Sequence, residues 1–194
     1  MDYLSEVRQM MGDPIRPRLE GEWGDVEAAA GVGLPDDYKT FIELYGPVGV
    51  NRHLTFHHPN SEMWSLARWI RETIDSYRGV EWAEVLEEPE KADQLAFGGP
   101  EGLVPLLASG RGEVLFMETP PEEEGYRLVV FVGDDCEFFR YDIGFAEWLF
   151  RYLVGEDMMG PNSSALPSGP LLIEEFPKEF GGHPEFRHGP HRGV

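Results

Sequence analysis

Apolar side chains recur at helical spacing in four stretches of this chain and at alternate or consecutive positions in several shorter ones. In residues 34–46, Tyr38, Phe41, Ile42 and Tyr45 fall at i, i+3, i+4 and i+7. Pro35 suits the first helical position, Asp36 and Asp37 place acids in the first turn, and Gly46 supplies a stop. A shorter helix is predicted from Trp23 to Ala30, ended by Gly31 in a left-handed conformation. A third, from about Glu62 to Tyr77, carries the stripe Met63, Leu66, Ile70, Ile74 and Tyr77, with Asn60 or Ser61 as its cap and Gly79 after it. The last, with Phe145, Trp148, Leu149, Tyr152 and Leu153 on one face, is expected to start at a capping Asp142 and stop at Gly155.

Between the third and last helices the period changes. Residues 113–118, 126–132 and 137–141 are β-branched or aromatic runs separated by short turn-forming segments, which predicts an antiparallel meander with the last helix lying on it. Leu54-Thr55-Phe56 reads as a short strand ended by Pro59. Gly98 to Gly102 is a permissive loop leading into Leu103 to Leu107, and Ser109 to Gly112 reads as a turn. Residues 81–93, with six acids against Lys91 alone and Pro89 as a breaker, read as a solvated connector. From Gly155 to Val194 there are seven glycines and six prolines, so only residues 171–176 look able to form a strand in an otherwise extended tail. The expected architecture is α+β: a single domain with a mainly antiparallel sheet and helices packed against it. Its expected divisions are an N-terminal extension at 1–19, the domain at 20–155, and a Gly/Pro/His-rich tail at 156–194 that docks in part.

Composition narrows the class of function. The 194 residues carry 36 acids against 16 bases, a formal charge of −20, yet 41% are apolar, which is enough to build a core. So acidic a chain is a poor ligand for nucleic acid or an anionic membrane, both of which are held by Lys and Arg. It suits a basic protein partner instead. Cys136 is the only cysteine, which rules out an intrachain disulfide and a cysteine-based zinc site. The N-terminus reads neither as a signal peptide nor as a membrane span, so a cytoplasmic location is expected.

Trp23, Val26-Glu27, Gly31, Leu34-Pro35-Asp36-Asp37-Tyr38, Phe41 and Tyr45-Gly46 together resemble the opening motif of the SUKH superfamily. That superfamily groups yeast cell-wall assembly regulators with bacterial immunity proteins. The resemblance continues through Gly98 to Pro105, Gly110 to Phe116, Val129 to Val132 and the Phe145 to Gly155 helix, covering residues 20–155. It implies a single α+β domain without catalytic residues. It also implies a role in neutralising a cognate toxin, commonly a nuclease, or, as the alternative, a regulatory or scaffold role with no toxin. The spacing of Trp23, Tyr38, Phe41 and Tyr45 makes these motif residues core-building.

For a basic toxin the candidate binding residues are Glu122, Glu123 and Glu124 in one loop, Asp134 and Asp135 in a hairpin turn, and Glu84, Glu87 and Glu88 in the connector. An interface also needs aromatic anchors, for which Trp69 and Trp82 are the candidates, with Trp64 a third. Enzymatic signatures are missing: there is no P-loop, nucleophile elbow or paired-His zinc helix. Serine catalysis requires His53 or His57 beside Ser61 or Ser109, which no spacing demands, and acids flanking Cys136 disfavour its thiolate. His57 and His58 are adjacent and point to opposite faces of a strand, while His183, His188 and His191 lie in a tail with no rigid support. No catalytic residue, metal or cofactor is expected, and the oligomeric state is open.

Overall fold

The computed structural model describes residues 1–119, 125–161, 170–177 and 180–190. Its centre is one antiparallel sheet of eight strands: β1 (Val48–Val50), β2 (Leu54–Phe56), β3 (Val104–Ser109), β4 (Val114–Glu118), β5 (Arg127–Val132), β6 (Glu137–Tyr141), β7 (Leu172–Glu175) and β8 (Glu185–His188). Their order across the sheet is β6-β5-β4-β3-β2-β1-β7-β8. The β3 to β6 meander follows from the short turns between these strands. The expected single strand at 54–56 is the second half of a hairpin with β1, turned through Asn51 and Arg52 at positive φ.

The helices are α1 (Tyr3–Met11), α2 (Trp23–Ala30), α3 (Asp36–Tyr45), α4 (Leu66–Arg78), α5 (Trp82–Val85) and α6 (Phe145–Val154), with a 3-10 turn at Pro89–Gln94. Paired residues share a face, which places Ala108, Val114, Phe131 and Phe138 together. The α4 and α5 side covers this face: Tyr77 meets Phe116 and Phe131 at ring distances of 5.1 and 5.5 Å, and Trp82 meets Phe131 at 5.5 Å. On the other face Phe41 of α3 and Phe145 of α6 enclose Phe56 at 4.8 and 6.3 Å. Here α1 lies on α6, with Tyr3 5.6 Å from Phe150, while α2 packs on α4.

Three helix starts differ from expectation. Pro35 is the N-cap, in extended backbone, and the helix proper begins at Asp36. The third helix begins at Leu66 with Ser65 as cap, because residues 58–65 fold back on themselves: His58 N–H donates to the Trp64 carbonyl and Leu66 N–H to the His58 carbonyl. Ser61 accepts from Trp64 N–H within that loop, and Met63 lies outside the helix. For α6 the cap position is Gly144 and not Asp142. Asp37 of α3 accepts from Ala146 N–H, and the Tyr126 hydroxyl accepts from Phe145 N–H.

Both chain ends join the same assembly. β7 pairs with β1 and β8 with β7, so residues beyond 156 contribute two strands. Arg187 of β8 reaches the carboxylate of Glu175 at 2.9 Å and the Met11 carbonyl at the end of α1, and Ile15 N–H donates to the same Glu175 oxygen at 2.9 Å. Glu175 is 3% exposed, a buried charge held by a guanidinium and a backbone donor.

Candidate functional site

The motif residues build the frame. Trp23 donates through Nε1 to Glu43 at 2.9 Å, and Lys39 sits 5.6 Å above its ring. Glu27 accepts from Leu34 N–H and from Lys39, whose ammonium holds the Glu27 carboxyl below the usual carboxylate range. Tyr38 is fully buried, and its hydroxyl donates at 2.7 Å to the Leu106 carbonyl, where the β3–β4 register shifts between Pro105 and Leu107. Burial pushes its phenol pKa up. Leu34 and Phe41 are buried, and the Tyr45 hydroxyl donates to the Gly12 carbonyl at 3.0 Å. Gly31 adopts φ 76°, and a Cβ there would lie 2.9 Å from the Gly99 Cα; a Cβ on Gly46 would lie 2.9 Å from the Ile42 carbonyl oxygen.

The acidic candidates fall in two places. Glu122, Glu123 and Glu124 lie outside the described residues. Asp134 and Asp135 are exposed in the β5–β6 turn, and Glu84, Glu87 and Glu88 are exposed on and after α5. Of these, only Glu87 and Glu88 lie where folding brings distant segments together, residues 86–95 beside β6. A groove of about 430 Å³ opens between them, lined by Leu86, Glu87, Glu88 and Leu95 on one wall and by Cys136, Glu137, Phe138 and Arg140 on the other. Leu86, Leu95 and Phe138 are half-buried and give it an apolar floor. No local pattern ties residues 86–95 to residues 136–140, and only Leu86 and Leu95, apolar residues bracketing an acidic run, hinted at a packed face.

The tryptophans divide. Trp82 is 8% exposed, donates through Nε1 to the Tyr77 carbonyl, stacks against Phe97 and meets Phe138 in a tilted contact; it supports the groove from beneath and does not offer a surface anchor. The connector is therefore pinned to the core at its start, contrary to the expected solvated run. Trp69 is half-buried, stacks on His57 at 4.9 Å, and lines a shallow hollow of about 250 Å³ with Tyr77, Ala108 and Val114. Trp64 stacks on Phe176 at 4.2 Å. Burial lowers the His57 pKa to about 4, with the Arg68 charge adding to the effect.

Chemistry-bearing side chains elsewhere take structural roles. The Ser109 hydroxyl donates to Glu113 and accepts from the Arg111 and Glu113 N–H groups, closing the β3–β4 turn. Glu113 stands 3.8 Å from His53 Nε2, and His53 Nδ1 is hydrogen bonded to the Tyr152 hydroxyl at 2.8 Å. Cys136, at positive φ, donates to the Gly133 carbonyl. His183 and His188 are exposed, and His191 lies outside the described residues. Among the described residues no three His, Cys, Asp or Glu side chains are grouped to hold a metal, and no helix is long and apolar enough to cross a membrane.

Sheet, flanking helices and edge groove together define a single α+β domain built on one antiparallel sheet. The family model of the SMI1 / KNR4 family (SUKH-1) matches residues 19–151, and the chain belongs to that family. The match spans α2 through most of α6 and leaves α1, β7 and β8 outside it. Comparisons with curated proteins and with solved structures found no match.

Proposed function

We propose that this protein is a non-catalytic, cytoplasmic binding domain, an immunity protein that neutralises a basic, nuclease-type toxin by covering its active surface. The family is one whose members are commonly immunity proteins. The observation that carries the reading is charge: −20 over the chain, with Glu84, Glu87, Glu88, Asp134 and Asp135 exposed and Glu87 and Glu88 lining one groove. A nuclease surface that holds phosphate is cationic, and an acidic protein competes for it with fast, electrostatically steered association.

The test is co-expression with basic, nuclease-type toxin domains, followed by copurification at low and high salt. Rescued growth and a complex that weakens as salt rises are expected. Equal killing with and without this protein, with no complex at low salt, overturns the reading. Stable association with housekeeping proteins and none with a toxin marks the regulatory alternative.

A further inference from the structure

Resting on that binding role, we propose that the outer edge of β6 and the groove beside it receive an extended basic segment of the partner. The segment adds to the sheet as a strand and seats one large apolar side chain between Leu86, Leu95 and Phe138. Three observations converge on this.

β6 ends the sheet, and among the described residues no backbone hydrogen bond reaches it from its outer side. An edge strand in this state presents alternate N–H and C=O groups to any chain laid along it. The opposite edge is guarded, since β8 is bracketed by Pro184 and Pro190, whereas β6 reads Glu-Phe-Phe-Arg-Tyr with no proline.

The groove flanks that edge on the face carrying Phe138, and its roughly 430 Å³ lies within the range of about 300–1,000 Å³ typical of ligand pockets. Trp82 backs Phe138 at 5.6 Å, so the floor is fixed by the core.

Its free charge is negative. Lys91 is paired with Glu88 at 2.6 Å, and Arg140 shares the Glu118 carboxylate with Arg127, at 3.5 and 3.3 Å. Glu87 and Glu137 are exposed and make no ion pair among the described residues. Side chains alternate between faces both in β6 and in a strand added to it, so Glu87 lies on the face of Phe138 while the Glu137 carboxylate lies on the opposite face, beside the residue next to the apolar one. The recognised pattern is thus a large apolar residue with a basic residue immediately beside it.

The test is selection of a random peptide library displayed on phage with the full chain. Enriched peptides are then titrated against wild type, against Leu95→Arg, which fills the groove, and against Glu87→Lys with Glu137→Lys. Circular dichroism and melting verify that the variants, at half-buried Leu95 and exposed Glu87 and Glu137, are folded. The enriched peptides are expected to carry Lys or Arg immediately beside Leu, Phe, Met or Trp. Each variant should weaken binding about tenfold or more, the scale of losing one interface hot spot. Hydrogen exchange of β6 amides should slow in the complex while that of β8 amides does not. Peptides that bind wild type and variants equally, or protect β8, overturn this site and leave the binding role standing. Enrichment no greater than on blank support also overturns it, and the toxin co-expression result then judges the binding role separately.

Discussion

The carboxylate of Asp37, near the start of α3, accepts a hydrogen bond at 2.9 Å from the backbone N–H of Ala146, in the first turn of α6. The other oxygen of Asp37 accepts from the Tyr126 hydroxyl at 3.0 Å, which in turn accepts from Phe145 N–H at 2.8 Å. One acid thus caps a helix 109 residues away and fixes α3, α6 and the entry to β5 relative to each other. Asp37→Ala is expected to cost about 2 kcal/mol of unfolding free energy, the upper range for losing a helix cap. Asp37→Asn, whose amide oxygen still accepts, should cost less. Urea denaturation of both variants measures the difference, and equal costs would remove the capping role.

A pair of glycines in α2 and at its end should respond in opposite directions. Gly31→Ala forces a side chain into φ 76° and against Gly99, and is expected to destabilise by about 1–3 kcal/mol. Gly24 is exposed in the helix, with nothing within 4 Å of a built Cβ, so Gly24→Ala should stabilise by about 0.5–1 kcal/mol. Thermal melting reads both.

Tyr38→Phe removes the only change of chemistry while keeping the ring in the core, and leaves the Leu106 carbonyl without the phenol that caps it at the β3–β4 irregularity. A loss of about 1–3 kcal/mol is expected. A loss near zero would mean that the bulge carbonyl is satisfied otherwise.

His57 gives the fold a pH dependence of defined sign. Its pKa is near 4 when folded and returns to the ordinary histidine value, about 6.5, on unfolding, so between these limits the unfolded chain binds more protons. Its contribution is complete above the unfolded pKa and is lost as pH falls toward the folded one, by up to about 1.4 kcal/mol per pH unit. Comparing wild type with His57→Phe cancels the carboxylates shared by both. The gap between their urea midpoints should shift in favour of the variant as pH drops from neutral toward 5; a gap independent of pH would contradict it.

Arg187→Met leaves the Glu175 carboxylate buried without its guanidinium and should cost about 3–5 kcal/mol. Limited proteolysis should then release the C-terminal strands and expose the region after α1, since Ile15 and Met11 hang on the same pair of side chains. Cleavage unchanged from wild type would show that the sheet pairing alone holds both ends.

Local chemistry was readable and distant chemistry was not. Tyr38, Phe41, Ile42 and Tyr45 announced α3 by spacing alone, Gly31 and Gly155 ended their helices in the expected left-handed conformation, and the meander followed from short turns. The starts of α4 and α6 differ because Ser61 and Asp142 look like caps, whereas the fold-back onto His58 delays α4 until Ser65 can cap it, and the Asp37 carboxylate caps α6 from outside the segment. Trp82 looked exposed amid acids, yet its indole meets Phe97, Phe131 and Phe138, two of them from strands some fifty residues on. The groove is legible for the same reason only in three dimensions: its walls come from residues 86–95 and 136–140, which no periodicity connects.

β1 lies between β2, which follows it immediately, and β7, which comes 122 residues after its last residue. During synthesis, every chain that has reached the end of α6 still carries Val48-Gly49-Val50 as a bare apolar edge, open to pairing with a neighbouring nascent chain. The domain therefore reaches its finished state only after translation has passed Glu175, and the late strand acts as its own protection against aggregation on the polysome.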